Sequence, residues 1–87
     1  MTKVFKFTIV GDVEKVFGKL KRLAAAKGVR VAGTWKWGTL EGRLGTAEYE
    51  TNGQELTITL TNAPRWVPDQ LIKAELEKVI EEAQEGD

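Results

Sequence analysis

Apolar residues recur along this chain with two periods, and the changes from one period to the other mark out seven elements. The first stretch, 3–10, alternates: Phe5, Phe7 and Ile9 fall on one side, Val4, Lys6, Thr8 and Val10 on the other, the period of a strand. Gly11 breaks the alternation. Asp12 follows, placed as an N-cap whose carboxylate accepts from the free amides of a first helical turn. Val13, Val16, Phe17, Leu20, Leu23 and Ala24 then recur at helical spacing, and Lys15, Lys19, Lys21 and Arg22 occupy the opposite face. The helix is expected to run to about Lys27 and to stop at Gly28, a left-handed C-terminal position. Gly18 inside it costs about 1 kcal/mol relative to Ala, and the expected return is a close approach of the helix to a sheet.

Period two resumes at 29–37, with Val29, Val31, Gly33, Trp35 and Trp37 on one side and Arg30, Ala32, Thr34 and Lys36 on the other. Gly38-Thr39 is expected to turn the chain into 40–44. That pairs Trp37 with Leu40, Trp35 with Gly42 and Lys36 with Glu41. The inward side changes from even to odd residues between Leu44 and Gly45, so a bulge or a tight bend is expected at Arg43–Gly45. From Gly45 to Thr61 the pattern is a hairpin. Asn52-Gly53 is the dipeptide that best tolerates the two positive φ angles of a type I′ turn. Centred there, the turn sets Thr51 against Gln54, Tyr49 against Leu56, Ala47 against Ile58 and Gly45 against Leu60. After the loop 62–67, Pro68 is placed to open a second helix, whose stripe is Leu71, Ile72, Leu76, Val79, Ile80 and Ala83, ending near Gln84. Lys73 and Glu77, and Lys78 and Glu82, stand four apart on it, and Trp66 is expected to staple back onto Leu71.

Each strand has one apolar face, so both helices should cover the same side. The expected architecture is a single α+β domain over residues 1–87, in the order β-α-β-β-β-β-α. Its sheet is antiparallel with strand order 2-3-4-5-1, and the two helices pack on one face.

Composition narrows the chemistry. The chain contains no Cys, no His and no Ser. Disulfides, thiolate nucleophiles, Ser-His catalysis and the commonest transition-metal ligand are thereby excluded. Ser is among the commonest residues in natural proteins, so its absence from 87 residues points to a thermophile-like bias or to a designed sequence, and a de novo or redesigned origin is the expectation. No apolar run approaches the roughly 20 residues of a membrane span, and no signal peptide is recognisable, so a cytoplasmic, soluble monomer is expected. Net charge is zero but segregated: residues 1–43 carry 10 Lys and Arg against 3 Asp and Glu, and residues 44–87 the reverse. A basic half can serve nucleic acid or an anionic surface. With no flexible linker between the halves, mutual neutralisation is expected instead, with neither nucleic acid nor membrane as a partner.

Candidate chemistry is sparse. Glu77, Glu81 and Glu85 share a helix face but have no visible partner ligands, so no metal and no cofactor are expected. Glu48, Glu50 and Glu55 could supply a carboxylate pair, but they lie on the open sheet face. Gly38, Gly42 and Gly45 stand among strands, unlike a phosphate-binding loop, whose glycines precede a helix. The aromatic residues are the best lead. Trp35, Trp37, Tyr49 and Trp66 are expected to point inward or to cover the core, where they either pack or line a pocket for a small apolar ligand.

Trp37-Gly38-Thr39-Leu40, the glycines Gly42 and Gly45, the strand 56–60 and a proline-preceded final helix with Ile72 and Leu76 resemble the polyhydroxyalkanoic acid system family. These are small bacterial proteins associated with storage-polyester granules. The resemblance covers most of the chain and implies the same order of elements, granule association and no catalytic residue. The His-rich start of that family is absent here. Three expectations follow: a non-enzymatic scaffold whose only product is its fold, a binding module for a small apolar ligand, and a granule-associated protein.

Overall fold

A computed structural model describes residues 3–43, 45–63 and 66–85. The elements are β1 (Lys3–Thr8), α1 (Val13–Ala26), β2 (Arg30–Gly33), β3 (Trp37–Gly42), β4 (Gly45–Asn52), β5 (Glu55–Asn62) and α2 (Asp69–Gln84). The strands form one antiparallel sheet in the order β1-β5-β4-β3-β2. This is the expected α+β fold with the expected neighbours, read from the other edge.

One sheet face carries the core. Val31, Ala47, Tyr49, Leu56 and Ile58 from the strands are buried with Val16 and Ala24 of α1 and Ile80 and Ala83 of α2. The other face is open and presents Lys6, Thr39, Glu48, Glu50 and Glu55 to solvent. Helix α1 starts as its sequence dictates, with Asp12 Oδ1 accepting from the amides of Glu14 (3.0 Å) and Lys15 (3.3 Å). It ends at Gly28, φ +82°. Gly18 faces solvent with nothing within 4 Å of where a Cβ would stand, so it brings the helix no closer to the sheet. Helix α2 is tied at both ends. Lys3 pairs with Asp69 near its start, and Gln84 Oε1 accepts from the Val10 amide at 2.8 Å near its end. Pro68 is the cap (φ −71°, ψ 147°) rather than the first helical residue. The residue buried ahead of the helix is Val67, 6% exposed, while Trp66 is 77% exposed. The staple position therefore belongs to Val67, with Ile72 buried at the matching place in the first turn.

Two turns differ from their expected form, and the third takes one of its two expected forms. In the β4–β5 hairpin, Asn52 pairs with Glu55 and the loop is Gly53-Gln54. Gly53 has φ +63° and no non-glycine residue among those described has positive φ, the φ pattern of a type II′ turn rather than type I′. Moving the loop by one residue slides the register by two, so Tyr49 faces Ile58 and Ala47 faces Leu60. A two-residue slide leaves every side chain on its expected face. Gln54 accounts for the choice: its carbonyl accepts from the Ile9 amide at 2.6 Å. Its side-chain amide donates to the carbonyls of Ile9 (2.6 Å) and Gly11 (2.9 Å), bonds that tie the hairpin tip to the β1–α1 connection.

In the β2–β3 hairpin the turn is Thr34–Lys36, not Gly38-Thr39, and Val31 pairs with Leu40, Arg30 with Glu41 and Gly33 with Gly38. Thr34 organises the loop: its amide donates to the Trp37 carbonyl at 2.9 Å, and its Oγ1 accepts from the Lys36 and Trp37 amides at 3.2 and 3.4 Å. Gly38 lies inside the sheet, where the Ala32 carbonyl and the Tyr49 ring leave no room for a side chain. A Cβ at Gly38 would sit 2.5 Å from Tyr49 Oη and 2.7 Å from Cζ.

Between β3 and β4, Gly42 pairs with Gly45 around a two-residue loop. The even-to-odd change at Arg43–Gly45 is thus the tight bend of a hairpin, the second of the two expected forms, and not a bulge. The register irregularity of this part of the sheet lies one residue later, at Thr46/Ala47 on the β5 side. Leu44, the expected end of the third strand, lies outside the described residues.

Candidate functional site

The four aromatic side chains expected to meet over the core are dispersed. Trp37 opens β3, so it points with Thr39 and Glu41 to the open face; it is 66% exposed and paired with Glu50. The sequence pattern places it late in β2, where odd residues point inward; in β3 they point outward. Trp35 stands in the Thr34–Lys36 loop, half-buried, with the Lys36 ammonium 5.4 Å from its ring centroid, a cation–π contact. Trp66 stands exposed before α2. Only Tyr49 is in the core. Its ring lies 5.7 Å from that of Phe17, and its hydroxyl donates to the Thr34 carbonyl at 2.6 Å. Burial pushes its phenol pKa above the ordinary value. The expected pocket of Trp35, Trp37, Tyr49 and Trp66 does not exist as a unit.

The carboxylates singled out on chemical grounds are also placed. Glu48, Glu50 and Glu55 are exposed on the open sheet face, opposite Thr59, Thr57 and Asn52. Glu77 and Glu81 are exposed on α2, and Glu77 meets Lys73 at 4.0 Å. Among the described residues, no three acidic side chains gather as a metal site would require.

Two hollows lie between sheet and helices. The smaller, about 30 Å³, is enclosed by Val13, Val16, Phe17, Leu20, Tyr49 and Ile58. It has room for about one water, but a site without polar partners stays dry. The larger is a cleft of about 460 Å³ between the inner face of β3–β5 and the first half of α2.

The cleft follows from side-chain size and from the course of α2. Its floor is a cross-strand row, Leu40–Ala47–Leu60, in which a methyl group stands between two leucines and leaves a trough. Its wall is Leu71, Ile72, Leu76 and Val79, the leading part of the apolar stripe of α2. The later part of that stripe, Ile80 and Ala83, belongs to the shared core. Close backbone approach of α2 is to α1, which in turn approaches β2. Trp66 stands at the edge, 77% exposed, beside Leu71 at 43%. Among the described residues, Lys27, Arg43 and Glu75 are the charged ones that line it.

Of the four residues expected to bind a ligand, the cleft takes only Trp66. The aliphatic lining carries no motif that could have revealed it. The available signal was the alanine at an inward strand position, facing a stripe of large residues on α2 that nothing else was assigned to cover. Compared with known protein families, with curated proteins and with solved structures, the chain matches none.

Proposed function

We propose that the protein is a non-enzymatic binding module that holds a small, largely apolar ligand in the cleft between the sheet and α2. The cleft itself carries this reading. Its volume of about 460 Å³ falls in the range of about 300–1,000 Å³ typical of small-molecule sites, and its walls are mainly aliphatic. Two of the five large apolar side chains exposed among the described residues, Trp66 and Leu71, stand at its edge. A ligand seated there covers surface that the free protein leaves to water, which is a favourable transfer.

Titration with dodecanol tests the reading. A ligand that binds only the folded state raises the melting temperature by linkage. The expected outcome is a saturable rise, abolished by Ala47→Phe, which fills the trough between Leu40 and Leu60. Should that variant fail to unfold cooperatively, Leu71→Lys at the edge of the cleft serves instead. Absence of any rise in the parent protein would replace this reading with that of a scaffold whose only product is its fold.

A further inference from the structure

The charged residues of the cleft are not evenly spread, and their positions define the polar end of its ligand. Lys27 caps the C-terminus of α1, two residues before Val29. Pairing of Arg30 with Glu41 brings Val29 beside Gly42, where its Cγ2 lies 3.1 Å from the place of a Gly42 Cβ. Arg43 follows Gly42 directly. The two cations thus stand at one end of the cleft, brought there by α1 and by the β3–β4 turn. Both are exposed, and among the described residues neither forms an ion pair. Among the described residues, the opposing charge is the single carboxylate of Glu75 on the α2 wall. Apart from Thr46 and Trp66, the side chains of the remaining wall and floor are aliphatic.

We propose that this cleft selects an anionic amphiphile, a hydrocarbon chain ending in a carboxylate, with the chain in the trough over Ala47 and the carboxylate at Lys27 and Arg43. The inference rests on reading the cleft as a ligand site. An aliphatic channel favours a flexible chain over a polar metabolite, because a polar group there finds no hydrogen-bond partner. Two cations against one carboxylate favour an acid over an amine, and an arginine can engage both carboxylate oxygens. The charged contacts are open to water, so they contribute selectivity while the apolar chain supplies most of the affinity.

Calorimetric titration with dodecanoate, dodecanol and dodecylammonium, each below its micelle concentration and at neutral pH, separates the terms. Dodecanoate is expected to bind about three- to tenfold more tightly than dodecanol, within what two exposed charge contacts supply, and dodecylammonium more weakly than either. The double variant Lys27→Met, Arg43→Met should bind dodecanoate no better than dodecanol and leave the dodecanol affinity unchanged. Lys21→Met, Arg22→Met, on the exposed face of α1, should change neither. Equal binding of acid and alcohol, preference for the amine, or equal loss in the two double variants would overturn the carboxylate assignment and leave the cleft reading standing. Absence of binding by all three probes would overturn both.

Discussion

Tyr49 joins three features of the fold in one side chain. Its ring fills the space left by Gly38 and lies tilted against that of Phe17, and its hydroxyl closes the Thr34 loop. It is the single tyrosine of the chain, so its titration can be isolated. The unfolded chain loses the phenolic proton near pH 10, whereas in the folded state burial holds it to higher pH. The unfolded state therefore binds fewer protons above that pH, and stability falls as pH rises. Tyr49→Phe should cost about 1 kcal/mol at neutral pH through the lost hydrogen bond. It should also remove this part of the alkaline decline, so that denaturation midpoints of parent and variant converge above pH 10. A gap that stays constant with pH would show that Tyr49 does not titrate differently in the two states. Trp37, by contrast, needs no partner in the core. Its place at the first position of β3, rather than late in β2, accounts for its exposure.

At the scale of elements, local signals placed the helices well and the turns less well. The cap at Asp12 and the stop at Gly28 act within a few residues and depend on nothing distant. The hairpin turns are different, because neighbouring frames are close in energy and a remote contact decides between them. Asn52-Gly53 is a good type I′ pair, yet Gly53 alone takes positive φ, and Gln54 is drawn into the loop by its bonds to Ile9 and Gly11. Gly53 remains the residue on which the turn depends. A Cβ added there would meet nothing within 4 Å, so the cost of Gly53→Val is conformational, a β-branched residue at positive φ, about 1–2 kcal/mol. Urea denaturation should show a lowered midpoint with an unchanged slope. An unchanged midpoint would show that the turn finds another conformation at no cost.

At the scale of the molecule, the basic and acidic halves of the chain meet. Helix α1, carrying Lys15, Lys21 and Arg22, packs against α2 with its exposed Glu77 and Glu81, and the Lys19 ammonium donates to the Glu85 carbonyl at 3.4 Å. Lys3 of β1 pairs with Asp69 of α2. With a helix carrying exposed cations packed beside one carrying exposed carboxylates, the fields of the two partly cancel at a distance, so duplex DNA should bind no more tightly than about the non-specific micromolar range at physiological salt. A gel-shift titration checks this; sub-micromolar binding with a steep salt dependence would show that the basic face acts independently of its acidic neighbour. The alternation of Phe5, Phe7 and Ile9, the stripes of both helices and the one-sided strands by themselves determined the order of elements, the antiparallel sheet and the face that is covered. Period and handed geometry are local, and they leave few ways to bury every apolar face at once. Tertiary structure alone decided the hairpin frames, the outward turn of Trp37 and the cleft. Each depends on which distant group competes for the same space or hydrogen bond: Tyr49 against a side chain at Gly38, Gln54 against the hairpin ladder, and α2 packing on α1 rather than filling the trough above Ala47.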